Sequence, residues 1–121
     1  LPPRGVVLAL AVLPDGSTVP VDGTIVIGRN PNRLAARTDD DARLIVVDSA
    51  NSISRTHLAL HVRGETMTAT DCGSRGGVVV ATEGREPVML EPWVPQEIAV
   101  GDVLYLGGPH GIRIEPPRGR P

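Results

Sequence analysis

A β-sandwich is the fold class this sequence predicts, and three observations carry the prediction. Short apolar runs recur along the chain with Gly, Pro, Asn and Asp between them, the punctuation of an all-β domain. The segment Leu58-Ala59-Leu60-His61-Val62-Arg63 alternates strictly, with Leu58, Leu60 and Val62 on one face and Ala59, His61 and Arg63 on the other, which is the two-residue period of a strand. No segment sustains the 3.6-residue period of a helix.

Taken in order, the first run covers residues 6–13 and halts at Pro14-Asp15-Gly16, where Pro presets φ and Gly accepts φ > 0. Residues 18–21 and 24–28 follow, giving the start the look of a hairpin. Residues 30–43 are rich in Asn, Arg and Asp, include the triplet Asp39-Asp40-Asp41 and form a long loop, with at most one helical turn at 34–37. A short strand at 44–47 and a turn at 48–52 precede the alternating segment. Gly64-Glu65 then turns it into a partner strand at 66–71, and Cys72-Gly73-Ser74-Arg75-Gly76-Gly77 makes a tight loop before residues 78–81. The remaining strands fall at 88–90, 98–100, 103–106 and 111–115, separated by Gly101-Asp102 and Gly107-Gly108-Pro109.

Composition narrows the function. The 121 residues suit one domain. With one Trp, one Tyr and no Phe, its core must come from Val, Leu, Ile, Ala and Met. Net charge is −2, and all 12 basic residues are arginines scattered singly, a pattern that argues against a nucleic-acid or membrane-surface footprint. Cys72 stands alone, so neither a disulfide framework nor a cysteine zinc site is expected, and a cytoplasmic setting fits. No apolar stretch approaches the ~20 residues that span a bilayer. Both ends are proline-rich, so residues 1–5 and 116–121 are expected to be linkers of a longer protein, with the domain at 6–115.

The chemistry gathers in Asn51-Ser52-Ile53-Ser54-Arg55-Thr56-His57, at the entrance of the alternating strand, and in Gly28-Arg29, just past another strand. Two arginines and a serine beside strand ends suggest an anion site, because a guanidinium matches a phosphate bidentately and a hydroxyl adds a rotatable donor. A nucleophilic reading of Ser54 with His57 as base is disfavoured. Residues three apart on an extended segment rarely align, and no third group is identifiable. Asp39 to Asp41 are expected to be a solvated charge run rather than a metal site, His61 and His110 surface residues, and Cys72 a small buried hydrophobe. No cofactor is implied.

Gly28-Arg29, then Ser54-Arg55-Thr56-His57, then Asp71-Cys72-Gly73-Ser74-Arg75-Gly76-Gly77, then Gly101-Asp102, in this order at strand boundaries, resemble the forkhead-associated (FHA) domain across residues 5–115. The resemblance implies a sandwich of two twisted antiparallel sheets whose loops at one end bind a phosphothreonine peptide downstream of a Ser/Thr kinase, with no catalysis. By the same resemblance Arg29 and Ser54 bind the phosphate and Arg55 contributes beside them. Gly28, His57 and Gly77 support the site, with the His57 imidazole bonded to the backbone of the binding loops. The sequence departs from the family where an Asn that bonds the peptide backbone is replaced by Gly76. Ser74 or Arg75 is expected to compensate, Arg75 as a third positive group. That loss also keeps open a rival, a module of the same fold that binds its partner without phosphorylation.

Overall fold

The computed structural model describes residues 6–47 and 53–118. Eleven strands occur among them: β1 (Ala9–Val12), β2 (Thr18–Val21), β3 (Ile25–Gly28), β4 (Arg43–Val46), β5 (Leu58–Arg63), β6 (Thr66–Asp71), β7 (Val78–Ala81), β8 (Val88–Met89), β9 (Gln96–Ile98), β10 (Val103–Leu106) and β11 (Gly111–Glu115). They form two sheets, one ordered β2-β1-β11-β10-β7-β8 and the other β4-β3-β5-β6-β9. The expected sandwich is therefore the fold. Its two linkers lie largely, and the turn at 48–52 wholly, outside the described residues.

The inner faces supply an aliphatic core, as the scarcity of aromatics requires. Ile25, Ile27, Leu58, Leu60, Leu104, Leu106, Ile112 and Ile114 are all fully buried. At roughly 1.5–3 kcal/mol for each buried Leu or Ile side chain, this layer is the main stabilising term. Alternation holds where one face is wet, as in β10 and β11. It fails in β3, all four of whose residues are buried, because residues 30–42 fold back over the outer face of that sheet.

Two details depart from the pattern expected of the sequence. β1 and β2 do make the initial hairpin, but β3 leaves it and crosses to the other sheet. The crossover is pinned by a buried ion pair, Asp22 Oδ2 to Arg43 Nη2 at 3.3 Å. Then β3 pairs with β4 in parallel, whereas every other pairing is antiparallel. Parallel neighbours need a long connection, and residues 30–42 are that connection. Their length thus has a topological reason.

This connection is ordered by its own polar groups. Asn32 Oδ1 accepts from the Ala35 amide at 3.0 Å, Arg33 Nε donates to the Ala42 carbonyl at 2.7 Å, and the Thr56 hydroxyl accepts from the Asn32 amide at 3.1 Å. Underneath, Val26, Ala36, Ala42, Ala59 and Cys72 form a small second core against Trp93. The Arg37 guanidinium lies 3.7 Å from the centroid of the Trp93 ring, a cation–π contact that ties the connection to residues 91–95.

Candidate functional site: three arginines on a serine hub

At one end of the sandwich the C-terminus of β3, the segment entering β5 and the β6–β7 loop meet, and Ser54 joins them through all its polar groups. Its carbonyl accepts from the Arg29 amide at 3.0 Å, and its hydroxyl oxygen accepts from the Arg75 amide at 3.0 Å. Its own amide donates to His57 Nδ1, also at 3.0 Å. Arg55 is bound to it covalently. The backbones of three arginines are thereby fixed around one small hydroxyl.

Gly28 permits this arrangement. A Cβ there would clash with the Arg55 carbonyl oxygen and lie 2.6 Å from its carbon and 2.9 Å from the Ser54 oxygen. Only a residue without a side chain lets β3 approach this segment closely enough for the amides of Arg29 and Asn30 to reach the carbonyls of Ser54 and Arg55, each at 3.0 Å. The supporting role expected of Gly28 thus has a steric basis.

His57 is fully buried beneath the hub. Since Nδ1 accepts the Ser54 amide proton, Nε2 carries the ring proton and donates to the Gly77 carbonyl at 2.7 Å. One neutral imidazole therefore clamps the segment entering β5 to the β6–β7 loop. Burial pushes its pKa below the ordinary 6.5, against the opposing pull of the Gly77 carbonyl and the Asp71 carboxylate. Both nitrogens serve the backbone, so the Ser54 hydroxyl has no base on His57, and the geometry disfavours the dyad for a concrete reason.

Arg29 is exposed, but its Nε donates to the Ile53 carbonyl at 2.8 Å, which fixes the plane of the guanidinium and leaves its terminal nitrogens to a ligand. With Ser54, Arg55 and Arg75 it lines an open cleft of about 590 Å³, walled also by Thr56 and Gly73. Ala35, Ile53 and Cys72 add an apolar patch, and among the described residues no carboxylate contributes to this lining. The Cys72 thiol, its pKa pushed up to about 12 by burial, is an inert wall.

Two of the candidate residues face elsewhere. Ser74 turns inward to hold its own loop: its amide donates to Asp71 Oδ1 at 2.8 Å and its hydroxyl accepts from the Gly77 amide at 3.0 Å. Gly76 is exposed at the loop tip and does not line the cleft. Gly77, at φ +77°, makes the left-handed turn into β7 and presents its carbonyl to His57. Thr56 and Gly73 lie inside the stretches that the sequence marks, without a role of their own there, and the Trp93–Arg37 contact is not foreseen by it. The sole tryptophan, set in a loop between two prolines, was the available signal.

A sandwich with arginine-bearing loops at one end, a glycine allowing their close approach and a buried histidine clamping them defines a class of modular domain. A family model described as "FHA domain" matches residues 25–107, most of the chain. The chain belongs to the FHA domain family. Among solved structures, an FHA domain analysed for phosphothreonine-dependent interactions is 26% identical, with a TM-score of 0.60, 88% of this chain and 94% of that one being covered. The FhaA FHA domain, complexed with the intracellular domain of Rv3910, is 25% identical with a TM-score of 0.61 and coverages of 88% and 99%. EmbR of Mycobacterium tuberculosis, in complex with a low-affinity phosphopeptide, is 26% identical with a TM-score of 0.58; 93% of this chain matches 25% of that one. No curated protein matches the chain.

Proposed function

We propose that this domain is a phosphothreonine-peptide reader without catalytic chemistry, one module of a larger regulatory protein whose partner is marked by a Ser/Thr kinase. The carrying observation is the Ser54 hub, which fixes the backbones of Arg29, Arg55 and Arg75 around a cleft that, among the described residues, has no carboxylate in its lining. A phosphothreonine carries about −1.5 to −2 charge near neutral pH, and each charge-assisted hydrogen bond to it contributes roughly 1.5–3 kcal/mol. Arg29 offers its terminal nitrogens as a fork. The Ser54 hydroxyl, whose oxygen is held by the Arg75 amide, keeps its proton for the phosphate. The phosphothreonine dependence of one FHA relative and the phosphopeptide bound to another support the reading.

Gly76 favours a second reading, a phosphorylation-independent docking module, because it has no side-chain amide with which to bond a peptide backbone. Calorimetric titration with paired phosphorylated and unphosphorylated peptide libraries separates the two. The first reading expects binding only to phosphothreonine members, and its loss in Arg29→Ala with the fold retained. Equal binding of both libraries, or phosphopeptide binding that survives Arg29→Ala, would overturn it.

A further inference from the structure

The site holds more positive charge than one phosphate requires. Arg29, held through Nε, and the Ser54 hydroxyl, its oxygen held by the Arg75 amide, would by themselves offer one phosphate a fork and a donor. Arg55 and Arg75 stand on either side of the same serine, one through its peptide bond and the other through its amide hydrogen bond. Both are exposed, and among the described residues no hydrogen bond or ion pair engages either guanidinium. The excess is local, since the whole chain is acidic at −2 and, among the described residues, no acidic side chain lines the cleft. Asp71, the nearest carboxylate in sequence, is buried and occupied by the Ser74 amide.

Resting on the phosphothreonine reading, we infer that this site selects peptides carrying a second anionic group close to the phosphothreonine, either another phosphorylated residue or a carboxylate, with Arg75 as the residue that recognises it. Arg75 suits that part better than Arg55. It comes from the β6–β7 loop rather than from the segment that carries Ser54, and it lines the same cleft as Arg29 and Ser54. Gly76 beside it has no side chain to bond the peptide backbone. Discrimination at this edge of the site therefore falls to charge.

The test uses one peptide backbone in four forms, measured by fluorescence anisotropy at low and at physiological salt: unphosphorylated, phosphothreonine only, phosphothreonine plus phosphoserine, and phosphothreonine plus aspartate. The second anion is scanned over one to three positions on either side. At least one register is expected to bind about tenfold more tightly than the singly phosphorylated form, as one additional charge-assisted contact would give. Arg75→Ala, and more strongly Arg75→Glu, should bring that ratio toward one, whatever each does to the singly phosphorylated affinity. A phosphoserine gain without an aspartate gain identifies the second group as a phosphate; equal gains identify general acidity. If the singly phosphorylated peptide binds but no register gains more than about twofold, or if the ratio survives Arg75→Glu, the inference is overturned and the phosphothreonine reading stands. If no phosphorylated form binds above the unphosphorylated control, the phosphothreonine reading itself fails and carries this inference with it.

Discussion

Gly28→Ala tests the architecture of the site at its tightest point. The added methyl would overlap the Arg55 carbonyl oxygen and lie 2.6 Å from the carbonyl carbon, where ordinary contact begins at 3.4 Å. The segment at Ser54–Arg55 must retreat by more than about 1 Å, and its obstacles are backbone atoms that cannot rotate aside. Retreat stretches the 3.0 Å bonds from the amides of Arg29 and Asn30 beyond useful length. Two net hydrogen bonds at about 1 kcal/mol each, with overpacking strain of about 1–3 kcal/mol, give a destabilisation of roughly 3–5 kcal/mol. For a domain of this size that lowers Tm by more than about 10 °C. Phosphopeptide binding should disappear even at temperatures where the variant is folded, because Arg29 and Ser54 are no longer held in register. Gly23→Ala, just before the same strand, is the control: no heavy atom lies within 4 Å of its added Cβ, and its φ is not in the left-handed region. Thermal melts and calorimetric titrations of the two variants decide the matter. A Gly28→Ala protein that melts with the Gly23→Ala protein and still binds would refute the reasoning.

Three further outcomes are expected. His57→Ala orphans the Ser54 amide and the Gly77 carbonyl together, so it should cost about 2–4 kcal/mol in urea unfolding, and a variant with wild-type stability would contradict the clamp. His57 and His61 both have folded pKa values below the ordinary 6.5, chiefly through burial, so the unfolded chain binds more protons. Stability should therefore be complete above about pH 6.5 and fall below it, by up to about 1.4 kcal/mol per pH unit for the fully buried His57 and by less for the partly exposed, solvent-screened His61. Melting curves from pH 7.5 to 5.0 on the wild type and His57→Gln check this, and a variant with the same pH slope would exclude His57 as a source. Gly76→Asn is conformationally acceptable, since Gly77 at φ +77° occupies the left-handed region and Gly76 does not. It should tighten phosphopeptide binding about three- to tenfold per bond regained, and an unchanged affinity in a normally melting variant would favour phosphorylation-independent docking.

The strands, and the motifs that carry most of the candidate site, were legible in the sequence because their signals are local. The alternation at Leu58–Arg63 and the turn at Gly64, whose φ is +63°, specify a hairpin from neighbours a few residues apart. Arg29, Ser54, Arg55 and Arg75 could be named because each sits beside a strand end in a recognisable motif. Tertiary structure alone decided which chemical face each residue presents. Ser74 resembles Ser54 in composition and context, yet its hydroxyl closes its own turn while that of Ser54 joins two loops. The difference arises from partners 3 and 21 residues away, and no local pattern encodes the second distance. The parallel pairing of β3 with β4 is equally invisible locally, because a four-residue apolar strand has the same sequence whichever way its neighbour runs. The arginine of Gly28-Arg29 was evident from the sequence. The reason for its glycine, a carbonyl from residue 55 pressed against the backbone, exists only once the two segments meet.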